Sequence, residues 1–202
     1  MRQPEIPMWP DESMARLCAE TRPCGTKMLG QLIFWSAYQA NAKNILEIGI
    51  GYGYVTLLLA RVASLTDGMH RSVDIAKPIC DIAQAAVVRH GFKRTSRIIC
   101  SDSLALADEE YKDIDFLFLD GNHSEAQVLA EWRKFAPLLT PECTVWLHDT
   151  TNQPGPVALM YEIAAQRITK YVEPSYVSDD MLRGTEDEPF ARMEYGRHYQ
   201  QV

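Results

Sequence analysis

Residues 44–62 constrain this chain more than any other stretch. Asn44-Ile45-Leu46-Glu47-Ile48 is a short apolar run, Gly49, Gly51 and Gly53 follow at alternate positions, and Val55, Leu58, Leu59 and Val62 recur at i, i+3, i+4 and i+7. A buried strand, a turn too tight for side chains and a helix with one apolar face match that pattern. Together they form the first βα unit of an open nucleotide-binding sheet. The glycine spacing speaks against a dinucleotide. A G-x-G-x-x-G site uses its third glycine for close helix packing, and Tyr54 stands at that place.

The pattern Glu47-x-Gly49-x-Gly51-x-Gly53 instead resembles motif I of the class I S-adenosylmethionine-dependent methyltransferases. The resemblance runs over roughly residues 40–172. It implies that the Gly49, Gly51 and Gly53 loop passes under the amino-acid and ribose parts of the donor, with Glu47 near the donor's amino end. It further implies an α/β, Rossmann-like, seven-stranded, mostly parallel sheet of order 3-2-1-4-5-7-6 with helices on both faces. Residues 1–202 then read as one domain, with 1–41 a helical cover and 42–202 the core and C-terminal tail.

Charge and composition narrow the partners. A formal charge of −7 and no basic run interleaved with aromatics argue against nucleic acid. Apolar stretches are broken well before 18 residues, too short for a membrane span. Arg2, Glu5, Asp11 and Glu12 do not make a secretion signal. The five cysteines show no CxxC and read as reduced packing residues, so a cytoplasmic location is expected.

Along the chain, Met14 to about Thr21 reads as a short helix. Thr26 then starts a second, with Leu29, Leu32, Ile33 and Ser36 on one face. From the resemblance, Lys27, Met28, Trp35 and Tyr38 are candidates to shape an acceptor pocket. His70–Ile75 reads as the second strand. Pro78–His90 is a helix with Ile79, Ile82, Ala83 and Ala86 inward and Gly91 at its end, and Arg97–Cys100 is the third strand. Asp115–Asp120 is apolar on both faces, as a central parallel strand should be. Ser124 with Gln127 forms a capping box, Cys143–Leu147 is the fifth strand, and a helix over about 157–167 follows. Tyr171-Val172 and Phe190–Tyr195 read as a final antiparallel pair, with an acidic loop at 178–189 between them.

The resemblance assigns donor contacts beyond the glycine turn. Asp74, 21 residues after Gly53, takes the place of the acid that accepts both ribose hydroxyls, for which a carboxylate is chemically suited. Asp102 and Ser103 take the place of the contact to the adenine edge.

Asp120-Gly121-Asn122-His123, followed by His148-Asp149, is the most specific constellation. Both acids end strands expected to be neighbours about 4.8 Å apart, so they can share a cation that relieves their repulsion. The constellation resembles the Asp-Gly-x-His and Glu/His-Asp pair of the macrolide-sugar and catechol O-methyltransferases. That resemblance implies Asp120, Asp149 and His148 as ligands of a divalent metal, magnesium by expectation, and His123 as general base beside Asp120. Two departures stand out. His148 replaces a frequent Glu, although imidazole suits zinc, iron or nickel better than magnesium. Pro141-Glu142-Cys143 replaces Pro-Gly-Gly. The expected function is methyl transfer from S-adenosylmethionine to a hydroxyl of a small molecule, in a possible homodimer. The rivals are metal-independent O- or N-methyl transfer and a non-catalytic S-adenosylmethionine-binding protein of the same fold.

Overall fold

The computed structural model describes residues 27–107, 111–150, 153–165, 171–172 and 191–194. In chain order these form α1 (Lys27–Gln39), β1 (Asn44–Ile48), α2 (Tyr54–Leu65), β2 (Met69–Asp74), α3 (Lys77–Arg89) and β3 (Ser96–Cys100). There follow β4 (Ile114–Leu119), α4 (Glu125–Phe135), β5 (Leu139–Leu147), α5 (Pro154–Ala165), β6 (Tyr171–Val172) and β7 (Ala191–Glu194). The expected helix at 14–21 and the acidic loop at 178–189 lie outside the described residues.

Strand alternation sorts the core into two layers. Ile45, Phe116, Phe118 and Trp146 face α1 and α2 in one cluster, where Leu29, Ile33, Leu58 and Val62 meet them. Leu46, Ile48, Leu117, Leu119, Val145 and Leu147 face the other way, against Val128, Trp132 and Phe135 of α4 and Leu159 and Ile163 of α5. The central strands are therefore apolar on both sides, as a doubly covered parallel sheet requires. Helix α1 is fixed to β5 by the Trp146 indole, whose Nε1 donates to Ser36 Oγ at 3.0 Å. The lower end of β1 is held by Asp115, whose two oxygens accept from the Lys43 and Asn44 amides at 2.8 and 2.9 Å.

The sheet order is β3-β2-β1-β4-β5-β7-β6. The first five strands are parallel and carry the expected 3-2-1-4-5 order. The two short C-terminal segments pair antiparallel beyond β5. Two expectations need correction. Strand β5 starts at Leu139 rather than Cys143. In α3 the buried stripe is Cys80, Ala83 and Val87, while Ile82 is 68% exposed. The buried stripe of α3 is narrow, at i, i+3 and i+7 from Cys80, and Ile82 falls beside it on the solvent side.

Candidate active site

The ligand-facing edge of the sheet is stitched together beyond the strand ends. The Gly49 amide donates to Val73 O at 2.9 Å, Asp120 to Ile48 O at 2.8 Å and His148 to Leu119 O at 3.1 Å. Each expected site loop therefore leaves its strand from a fixed point. In the first loop Gly49 has φ 93° and Gly51 φ 53°. A Cβ on Gly49 would lie 2.0 Å from Asp120 O, so only glycine lets the two loops touch.

A cavity of about 430 Å³ opens there, lined among others by Gly49, Gly51, Asp74, Asp102, Ser103 and Asp120. That volume falls within the range of small-molecule sites. Asp74 is pinned by backbone donors: Oδ2 accepts from the Ile50 amide at 3.0 Å and Oδ1 from Ala76 at 2.8 Å. Asp102 is exposed, and its Oδ1 accepts from the Leu104 amide at 2.9 Å. Ser103 is buried.

Two sequence assignments do not join the cavity. Glu47 is fully buried and points to the face opposite Ile48, where its Oε2 lies 3.1 Å from His70 Nε2. His70 Nδ1 in turn meets Ser96 Oγ at 3.0 Å. Period-two alternation makes this unavoidable, because Ile48 lines the cavity and Glu47 precedes it. Gly53 is the N-cap of α2 at φ 76° and shapes the helix start rather than the cavity wall. Trp35 and Tyr38 pack edge to face at 5.8 Å between ring centres and lie against the core on the α1 side.

Beside the cavity, Asp120, His123, His148 and Asp149 each turn one ligand atom inward, all within 4.8 Å of one another. His148 Nδ1 lies 3.1 Å from Asp120 Oδ1 and 2.7 Å from Asp149 Oδ1. His123 Nε2 lies 3.1 Å from Asp149 Oδ2 and 3.5 Å from Asp120 Oδ1. Both ring nitrogens are buried and neither has a hydrogen-bond partner. The carboxylates are near enough to pair in charge with both rings. Asp149 also holds a left-handed φ of 56°, uncommon for a residue with a Cβ.

The cluster shifts its own protonation. Burial works against charge on His148, but the Asp120 and Asp149 carboxylates outweigh it and hold the imidazole up at about 10. For His123 the Asp120 carboxylate is the main cause of an upward shift, with burial opposing it and Asp149 adding to it. Without a cation, the two acids thus draw both rings towards their charged forms.

Comparison with known proteins bears on the family and the fold. A family described as "Methyltransferase domain" matches residues 46–150, more than half of the chain. The chain belongs to this methyltransferase domain family. The domain resembles a caffeoyl-CoA O-methyltransferase of Stellaria longipes, 26% identical over 145 residues, 65% of this chain and 60% of that protein. It spans only 37% and 60% of the lengths of the first curated plant relatives it matches. An O-methyltransferase from Bacillus cereus, solved in complex with SAH, superposes with a TM-score of 0.71 at 21% identity over 95% of this chain and 94% of that one. TomG from Streptomyces achromogenes, solved in complex with SAM, gives 0.66 at 16% over 92% and 91%. Likeness at these identities establishes a shared fold.

The methyltransferase cavity also includes Ile75, Gln127 and Glu131, to which sequence reasoning gave no part in the site. Ile75 is 74% exposed. A large apolar residue immediately after the expected ribose acid was a usable signal. So was Glu131, an acid set within the apolar stripe of Val128, Trp132 and Phe135.

Proposed function

We propose that this domain transfers the methyl group of S-adenosylmethionine to a hydroxyl of a small molecule, at a site that also holds a divalent cation. The observation that carries the reading is the contact between two features. A cavity walled by the glycine turn and Asp74 reaches Asp120, and Asp120 belongs to the four-residue His/Asp cluster.

In this reading the Gly49–Gly51 turn lies under the donor, and the fixed oxygens of Asp74 face its ribose. Asp120, Asp149 and His148 are the residues that would hold the cation. Their fit rests on two buried ring nitrogens without a hydrogen-bond partner and on two acids whose oxygens converge with them within 4.8 Å. When bound, the ion supplies polarisation of the acceptor oxygen and offsets the paired carboxylates. The donor set mixes imidazole with carboxylate, so zinc, iron or nickel competes with magnesium for it.

His123 takes the acceptor's proton. Carboxylates near its Nε2 favour the imidazolium formed. The acceptor oxygen then attacks the methyl carbon in line with the carbon–sulfur bond. That bond breaks onto sulfur, leaving a neutral thioether, and the contribution of the protein is mainly positioning. We also read β6 and β7 as completing a seven-stranded sheet, and residues 1–41 as the cover of a single domain.

Calorimetry with S-adenosylhomocysteine tests donor binding. Product formation on catechol and sugar hydroxyls, with and without chelator, tests the rest. Binding without turnover would favour a non-catalytic protein, and turnover indifferent to chelator would remove the cation.

A further inference from the structure

Methyl transfer as proposed leaves one buried acid of the cavity without a task. Glu131 is 2% exposed and lines the cavity together with Gln127, one helical turn earlier on α4 and on the same face. Its Oε1 accepts from Ser103 Oγ at 2.6 Å and from Gln127 Nε2 at 3.0 Å. Gln127 Nε2 also donates to Ser103 Oγ, at 3.3 Å. The same Oε1 lies 3.8 Å from where a Cβ of Gly121 would stand. Glu131 therefore sits between the loop after β3 and the loop after β4.

These bonds redistribute the roles expected at this end of the cavity. The Ser103 hydroxyl gives its proton to Glu131 and a lone pair to Gln127, so it orients the acid. Asp102 is exposed and uses one oxygen on the Leu104 amide. A solvated carboxylate exchanges one partner for water at little cost, whereas a buried one left unmatched forfeits its hydration. Burial pushes the Glu131 carboxyl above its usual range, with the Ser103 and Gln127 bonds opposing that shift. Both donors bond to Oε1, and none of the described residues donates to Oε2.

We propose that Glu131, oriented by Ser103 and Gln127, is the residue that selects an exocyclic amine at position six of the donor's purine and rejects a carbonyl oxygen there. The inference rests on the reading that the cavity takes S-adenosylmethionine. An amine donates to the acid. A carbonyl at the same position sets two acceptors face to face, and a polar mismatch of this kind in a dry site discriminates far more strongly than a missing methylene.

The test is calorimetry on the full chain with S-adenosylhomocysteine and with S-inosylhomocysteine, which carries oxygen in place of the amine. The native protein should prefer the adenine compound by about 100-fold or more. Glu131→Gln should cut that ratio by about tenfold, because its carboxamide can turn either oxygen or nitrogen to the ligand. Ser103→Ala, which frees the acid to turn, should cut it less and covers the case in which Glu131→Gln does not fold. An unchanged ratio in a folded variant that still binds S-adenosylhomocysteine overturns this inference alone. Failure of the native protein to bind S-adenosylhomocysteine overturns the donor reading as well.

Discussion

Replacing Gly49 by alanine should damage this protein far more than the same change at Gly51 or Gly53, although all three share one turn. Each has positive φ: 93°, 53° and 76°. A side chain in that region costs about 1–2 kcal/mol, and this cost is common to the three. Gly49 alone adds a collision. Its new Cβ would stand 2.0 Å from Asp120 O, 2.4 Å from the carbonyl carbon and 2.8 Å from the Gly121 nitrogen, all of them main chain. At Gly51 and Gly53 nothing lies within 4 Å. Forcing packed main chain apart costs about 1–3 kcal/mol more, so Gly49→Ala should lose about 2–5 kcal/mol in total. Urea unfolding followed by circular dichroism measures the difference. With a slope of about 2 kcal/mol per molar, an extra 2 kcal/mol moves the midpoint by about 1 M. Gly51→Ala should keep most of its stability and lose donor affinity, because its methyl enters the cavity. Equal midpoints for Gly49→Ala and Gly51→Ala would refute the claim that the two loops meet at Gly49.

Asp120→Asn should abolish methyl transfer while donor affinity, read by calorimetry, stays within about threefold; equal loss of both would contradict its place on the acceptor side. Asp74→Asn should weaken S-adenosylhomocysteine binding by about tenfold or more, because an amide nitrogen would face a backbone donor where an oxygen now accepts from Ile50 or Ala76. Cation-free protein should be most stable in acid relative to its His148→Gln variant. The folded His148 holds its proton up to about 10 against an ordinary value near 6.5, so its stabilisation is complete below about 6.5 and disappears as pH rises towards 10. Thermal melts across that range that run parallel in native and variant protein would show that His148 carries no such linkage.

The parallel part of the sheet was legible because both-face burial leaves unbroken apolar runs such as Phe116–Leu119, and because the glycine turn marks where β1 ends. Asp120, His123, His148 and Asp149 could be named together since each stands within four residues of a strand end. The face that Glu47 takes was not legible, because a motif records spacing along the chain while the pleat decides where a side chain points. Ile82 went astray because an apolar residue invites placement inside, yet α3 buries only a narrow stripe and leaves it in solvent. Glu131 stood out in sequence only as an acid in an apolar stripe, since its meaning comes from Ser103, 28 residues earlier, and from Gly121 across a loop.

The hydrogen-bond rungs that continue past the strand ends have a further implication. The first residue of each reactive loop is anchored to its neighbour as firmly as if it belonged to the sheet, so loop sequences can drift or be exchanged without altering where they begin. A lineage could retarget such a protein to new acceptors by editing only what lies beyond those anchors. The spacing between donor and acceptor sides would then be inherited from the scaffold, with no need to be rediscovered each time.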